Sequence, residues 1–439
     1  MRVEEPRTRV VLLCGGRGGT AISQHLRHRP DVHTSLVING YDDGLSTGAL
    51  RRMIPGLLGP SDFRKAFASL LDPASPRERA LRTLLAERLV GTEGAVVAAA
   101  LWDFACRRDV ENLPGRLAAA LLALDVRRRD LVGDGLAAYF RHVDRLGLSV
   151  DYSDFALGNL LIAGMYLRVG DFNLTIRSLA ELCPLPIDVL DVSAGECRWL
   201  AALKADGTVL ADESEIVAPQ SSNPIVGLYL LGRPVSGQER RLVERGSRQE
   251  KQAWLAARTL PAVPSPEASD AISQAEVLVY APGTQHSSLF PSYRVAAEVL
   301  KASQASVKAL VVNLDPDHDI QGLSPLDLVE RALSFLEDPE NRSPAITHVL
   351  CDPTATLPGG QAVAWLSERC VQYGIRVVSG PYRDLASPRR HCGRTVVDTL
   401  FALRAERADR RLRSPGPARA HVCDPARAAG PHEDRGGTT

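Results

Sequence analysis
The string Cys14-Gly15-Gly16-Arg17-Gly18-Gly19-Thr20 follows the apolar run Val10-Val11-Leu12-Leu13 and precedes a helix-like segment. A backbone stripped of side chains where a buried strand meets a helix leaves few folds open. Such a unit implies a return strand lying parallel to the first, with the helix as the crossover. Glycines also let an anion approach the unpaired N–H groups and partial positive charge at a helix start. The spacing from Gly16 to Ala21 fits the loose dinucleotide pattern G-x-G-x-x-A, and a tight turn with no ligand explains the same glycines.

The return strand is present. Residues 21–28 read as a helix and 35–38 as a strand rich in β-branched and aliphatic residues, completing a βαβ unit. Apolar residues then recur at helical spacing over 62–71 and 78–147, as at Leu81, Leu84, Leu85 and Leu89. Helices over 154–168 and 173–183 end at Pro184 and Pro186. The segments 187–192, 199–204 and 208–210 read as a hairpin region around Ala205-Asp206-Gly207, and 233–268 as a surface helix followed by a proline-marked linker. Strands at 276–280, 308–313, 346–351 and 375–379, with helices between them, restore the βαβ rhythm. The expected fold is α/β: a doubly wound, mostly parallel, Rossmann-like three-layer core over 9–77 and 148–385. A helical insertion fills 78–147, a C-terminal helix 386–412, and a disordered tail of Pro, Arg, Gly and Ala 413–439.

Net charge gives no support to one class of partner. The 52 basic and 52 acidic side chains cancel, which removes any whole-chain electrostatic argument for nucleic acid. Eight Cys are scattered without a C-x-x-C pair, arguing against a thiolate zinc site or a disulfide framework. No signal-like N-terminus and no bilayer-length apolar run is found, so a cytoplasmic protein without membrane partners is expected.

Three polar loops follow predicted strands, at the edge where α/β sheets bind ligands. After the second strand comes Asn39-Gly40-Tyr41-Asp42-Asp43-Gly44-Leu45-Ser46-Thr47-Gly48. One carboxylate suffices for a ribose in a nicotinamide site, whereas adjacent Asp42 and Asp43 beside hydroxyls suit hydrated magnesium or polar ligand groups; a solvated acidic turn explains either alone. Gly59-Pro60-Ser61-Asp62-Phe63-Arg64-Lys65 opens a helix, with Ser61 or Asp62 as its cap and Arg64 and Lys65 as positive charge for a phosphate. Near 280 the arrangement repeats as Pro282-Gly283-Thr284-Gln285-His286-Ser287-Ser288, where His286 reads as a general acid or base or as a neutral hydrogen-bonding loop residue. The third loop, with Asp315, Asp317, His318 and Asp319, has no metal-site spacing and reads as polar and solvated.

Taken in order, these segments resemble the 2-phospho-lactate transferase (CofD-like) superfamily and its gluconeogenesis-factor (YvcK-like) branch. The glycine string is similar to the family's GGTGG turn, with Arg17 at the usual Thr. Asp42-Asp43-Gly44-Leu45-Ser46-Thr47-Gly48-Ala49-Leu50-Arg51-Arg52 resembles DDGGSSGRLR, Leu157-Gly158-Asn159-Leu160-Leu161-Ile162-Ala163 resembles FGNLLLAA, and 276–289 resembles a strand followed by GPGSLYTSI. The transferase branch moves a phospho-lactyl group from a guanylated diphosphate to a hydroxyl of a deazaflavin precursor, releasing GMP. The other branch is associated with UDP-sugar binding and with regulation of carbon flow or cell shape.

The resemblance implies a nucleotide diphosphate or UDP-sugar type ligand and magnesium held by Asp42, Asp43 and Asp62, the same three carrying catalysis. Gly15, Gly16, Gly18, Gly19 and Thr20 would hold phosphates, as would Gly283, Thr284, His286, Ser287 and Ser288. Arg64 would supply charge, and Asn159 and Asn313 would read base, ribose or phosphate. A homodimer is compatible with it. The expected activity is transfer of a phosphate-ester group, and the alternative is a non-catalytic UDP-sugar-binding regulator. A nicotinamide oxidoreductase rests on G-x-G-x-x-A and Asp42 alone.

Overall fold
The computed structural model describes residues 7–413 apart from 92, 220, 222, 316 and 354–362. The tail assigned to disorder, but for the end of the last helix, lies outside the described residues, as does the expected start of the helix near 361.

Seven strands form one parallel sheet: β1 (Thr8–Leu13), β2 (Val32–Ile38), β3 (Ile187–Asp191), then, after an excursion, β7 (Val277–Tyr280), β8 (Val307–Val311), β9 (His348–Cys351) and β10 (Arg376–Ser379). The excursion is a separate antiparallel sheet of β4 (Trp199–Lys204), β5 (Val209–Leu210) and β6 (Ile225–Leu231). The large sheet runs β10-β9-β8-β7-β1-β2-β3. Leu12 is in register with Leu36 on one side and Val279 on the other. The apolar runs have the cause parallel sheets demand, burial on both faces: all four residues of β7 are buried, and so are Val10 to Leu13.

From the β1–β7 pair the chain winds outward in opposite directions, through β2 and β3 on one side and β8, β9 and β10 on the other. Right-handed crossovers then place the two sets of helices on opposite faces, giving three layers. The crevice beyond the C-terminal ends of β1 and β7 is the switch point where such sheets take ligands.

Three features depart from expectation. Residues 187–191 are an edge strand of the large sheet, paired with β2 (Val37 with Leu190), and not part of the hairpin region. The hairpin gains β6 as a third strand, and 233–268 holds the helices Gly237–Glu244, Arg248–Ala256 and the start of Pro266–Gln274, where a surface helix and linker were expected. Pro266 is the first-turn proline of a helix capped by Ser265, so that proline marks a helix start.

The crossover from β2 to β3 contains the helical block. Helices Pro76–Ala86, Glu93–Arg107, Gly115–Leu122 and Val126–Leu146 share one apolar core with the sheet, through Leu81, Leu101, Leu117 and Leu136. Leu157–Val169 is buried nearly all round from Leu157 to Met165, which is why its sequence lacks an amphipathic stripe. The β4–β6 sheet is also covered on both faces. Trp199, Ala201 and Leu203 pack toward Val243 and Leu255, while Leu200 and Ala202 join the main core. Among the described residues no helix is long and apolar enough to cross a membrane.

Candidate functional site
The two glycine loops lie side by side at the switch point. A Cβ on Gly18 would fall 1.9 Å from the Pro282 carbonyl oxygen and 2.6 Å from Gly283 Cα, so only glycine allows the loops this contact. Gly283 has φ +142°, and Asn313 at the end of β8 holds it: Asn313 Oδ1 accepts its N–H at 3.2 Å and Asn313 Nδ2 donates to its carbonyl at 2.9 Å.

A carboxylate ties the loops together. Asp62, in the first turn of helix Ser61–Leu70, accepts from Ser288 Oγ at 3.1 Å and from Lys65 Nζ at 2.8 Å. A Cβ on Gly16 would lie 2.5 Å from Asp62 Oδ1, and one on Gly15 2.5 Å from Ser288 Cβ. The bare backbone of the first loop therefore makes room for Asp62, Lys65 and Ser288 as well as for a ligand. Burial works to raise the Asp62 pKa; the Lys65 charge and the hydrogen bonds from Lys65, the Gly16 N–H and Ser288 outweigh it and hold it below the usual value.

The acidic turn is held from two directions. Asn39 fixes its start by donating to the Ser288 carbonyl at 2.6 Å and to Ser292 Oγ at 3.0 Å. Arg51, only 2% exposed, donates to the carbonyls of Tyr41 and Asp42, each at 3.2 Å, and to that of Arg198, and lies 4.2 Å over the Trp199 ring. The small antiparallel sheet thus braces the turn. It also supplies Glu213, at the start of helix Glu213–Val217, whose N–H donates to Asp43 Oδ1 at 2.7 Å.

Four carboxylates consequently crowd one rim. Burial pushes Asp43 up to about 7, against the opposing pull of Arg51 and the Glu213 N–H. Burial and then the charges of Asp42, Asp62 and Asp43 push Glu213 up to about 9. Burial followed by the Asp62 charge raises Asp42. For Lys65, burial acts downward, but Asp62 and Asp42 prevail and raise it.

The expected site residues separate into two groups. Gly15, Gly16, Gly18, Asp42, Asp43, Asp62, Gly283, Ser288 and Asn313 are joined by these contacts around the switch point. Gly19 and Thr20 start helix Thr20–Arg27, whose Gly19 N-cap offers no side-chain acceptor and leaves the first N–H groups to other partners. Thr284 is partly open beside Gly283.

Other residues lie beneath the rim. Arg64 donates to Asn159 Oδ1 at 2.9 Å and to the Leu85 carbonyl at 3.1 Å, while Asn159 donates to Ser61 Oγ at 3.0 Å; both side chains are buried in anchoring helix Ser61–Leu70. His286 is fully buried in the π-helical turn Gln285–Leu289, edge-on to Phe290, and Ser287 is buried with it. The third loop is not wholly solvated: Asp317 and His318 are exposed, but Asp319 is buried and accepts the His286 N–H at 2.7 Å. Glu213 and Arg51 are rim residues that loop motifs did not single out. A signal for Glu213 existed in Asp212-Glu213-Ser214-Glu215, where Asp212 caps the helix by accepting the Glu215 N–H at 3.0 Å.

For a cation the donor set is oxygen only. Among the described residues no group of three or more His, Cys, Asp or Glu side chains is disposed to hold a metal, so Asp42, Asp43 and Asp62 do not form one complete ligand shell. Asp42 and Asp62 face one another closely enough for Asp62 to raise the Asp42 pKa. Asp42, whose negative charge is disfavoured by burial and by Asp62, and Asp62, already bonded to Lys65, are oxygen donors of the kind magnesium takes, one or two carboxylates with its shell completed by phosphate and water.

Comparison with known proteins places this geometry in context. A family profile described as 2-phospho-L-lactate transferase CofD matches residues 10–359. A Bacillus subtilis (strain 168) protein named gluconeogenesis factor is 22% identical over 313 residues, 71% of this chain and 69% of that protein. A crystal structure of a Bacillus halodurans protein superimposes with TM-score 0.60 at 19% identity, over 90% of this chain and 99% of that one. A second, described as a member of the UPF0052 family, gives 0.59 at the same identity, over 90% and 100%.

Proposed function
Because the chain belongs to the CofD family, we propose that it binds a nucleoside diphosphate-linked phosphate ester across the rim and transfers the ester group, of phospho-lactyl type, to a hydroxyl acceptor. The observation that carries this reading is Asp62, bonded to Lys65 and to Ser288 of the second loop while lying against Gly16 of the first. Phosphoryl transfer needs little covalent chemistry from a protein. It needs positioning and charge stabilisation.

The Thr20 N–H is used within the loop, on the Arg17 carbonyl at 3.1 Å. The following first-turn N–H groups of helix Thr20–Arg27 and the Lys65 ammonium would face the diphosphate, and Asn313 keeps the second loop in shape to take the other side of the ligand. The acceptor oxygen bonds to the phosphorus carrying the ester, the bond from that phosphorus to the bridging oxygen breaks, and nucleoside monophosphate leaves. The hydroxyl proton passes to a rim carboxylate. Asp42 and Asp62 would hold magnesium, which supplies charge neutralisation at the phosphates when bound.

Calorimetric titration with GDP, GTP and UDP-sugars in magnesium, with mass spectrometry of a guanylated phospho-lactate donor and a hydroxyl acceptor, tests this. GMP release lowered on the order of 100-fold by Asp62→Ala is expected. Saturable UDP-sugar binding without turnover would transfer the rim to the regulator reading, and no nucleotide binding in magnesium would overturn both.

A further inference from the structure
A groove of about 460 Å³ runs along helix Thr20–Arg27, between the end of helix Ser61–Leu70 and the start of helix Gly393–Arg413. The groove spans the length of helix Thr20–Arg27, from Ala21 in its first turn, against which Gly393 packs, to His28 past its end, and none of its lining residues is among those that form the rim. Basic side chains outnumber acidic ones along the groove, with Asp398 of the last helix also acting on His25. His25, Arg27, His28, Arg82 and Arg394 line it against one acid, Asp72.

Arg27 is matched by Glu78 at 2.7 Å, and Asp72 Oδ1 is engaged by the Ala74 N–H at 2.8 Å. Arg82 and Arg394 are exposed and form no ion pair within 4 Å among the described residues. The volume is that of a small-ligand site, and guanidinium forks beside imidazoles are the donors that recognise phosphate oxygens.

We propose that this groove is a second binding site, for a small phosphate-bearing anion, separate from the rim. Ligand oxygens meet Arg82 and Arg394 from opposite walls, and His25 and His28, one helical turn apart on the same face, border the ligand between them. Inorganic pyrophosphate is the probe, and the ring-proton NMR signals of His25 and His28 in the full chain are the local readout.

Saturable movement of both signals is expected, retained in Asp62→Ala and weakened roughly tenfold or more in R82Q/R394Q. Should R82Q/R394Q not fold, Ser69→Phe, which fills the groove from another wall, makes the same comparison. Signals that stay still in the wild type, or that move equally in wild type and groove variants, would overturn the site. Because the readout is independent of Asp62, its failure leaves the rim's function untouched, and the reverse holds as well.

Discussion

The two loops at the switch point occupy equivalent places, each between a buried parallel strand and a helix, yet they are shaped by opposite means. The first, 14–20, depends on what is missing. Side chains at Gly15, Gly16 and Gly18 would collide with Ser288, Asp62 and the Pro282 carbonyl. The second, 281–288, depends on what is supplied: Asn313 gives it two hydrogen bonds to Gly283, and Gln285 Nε2 adds a third to Asn313 at 3.1 Å. The lesson is that a glycine motif announces only half of a binding edge. Its partner loop is built by side chains from another strand.

The comparison breaks most severely at Gly18. Gly18→Val puts a branched side chain where even a Cβ is 1.9 Å from a carbonyl; a stability loss of about 2 kcal/mol or more and loss of nucleotide binding are expected, read by urea denaturation and calorimetry. Next comes Asp62→Ala, which separates the loops chemically and leaves Lys65 without its 2.8 Å partner. It should cost roughly 2 kcal/mol and lower turnover on the order of 100-fold, measured by denaturation and GMP release.

Asn313→Ala tests the second loop alone. Loss of its hydrogen bonds to Gly283 and Gln285 should cost about 1–2 kcal/mol and weaken nucleotide binding without disturbing Gly18. A Gly18 variant rescued by Asn313→Ala would show that the loops resist one another instead of cooperating.

The smallest effect belongs to a carboxylate outside both loops. Asp191, at the end of β3, accepts from the Ser193 N–H at 3.1 Å and its hydroxyl at 3.0 Å; burial nevertheless pushes it from 3.8 up to about 7. Between those values the folded protein keeps a proton that the unfolded chain has lost. Its stabilising contribution is thus full below 3.8 and is lost as pH rises through about 7. Comparing urea midpoints at about pH 5 and about pH 8, Asp191→Asn should show a shallower fall than wild type.

Much of the architecture was legible because its causes are local. Four-residue apolar runs, glycine turns and helical spacing each act within about ten residues, and they placed six of the seven strands of the large sheet in βαβ units. Strand β3 was misread because an edge strand's alternation looks the same whichever sheet it joins. For the site, the motifs found the loops but not the duties of each residue. Arg64 and Asn159 are polar residues in the right strings, yet they spend their hydrogen bonds on each other and on Leu85 and Ser61. His286, which reads as a general acid or base or as a hydrogen-bonding loop residue, is covered completely.

The sequence alone determined that a parallel sheet would carry a glycine edge beside two acids, since backbone sterics and burial at each strand leave little choice. Tertiary structure decided which side chains reach that edge. Ser288 meets Asp62 across 226 positions and Glu213 meets Asp43 across 170. No local pattern encodes such pairings, because a hydrogen bond depends on distance in space and on which neighbours burial has already consumed.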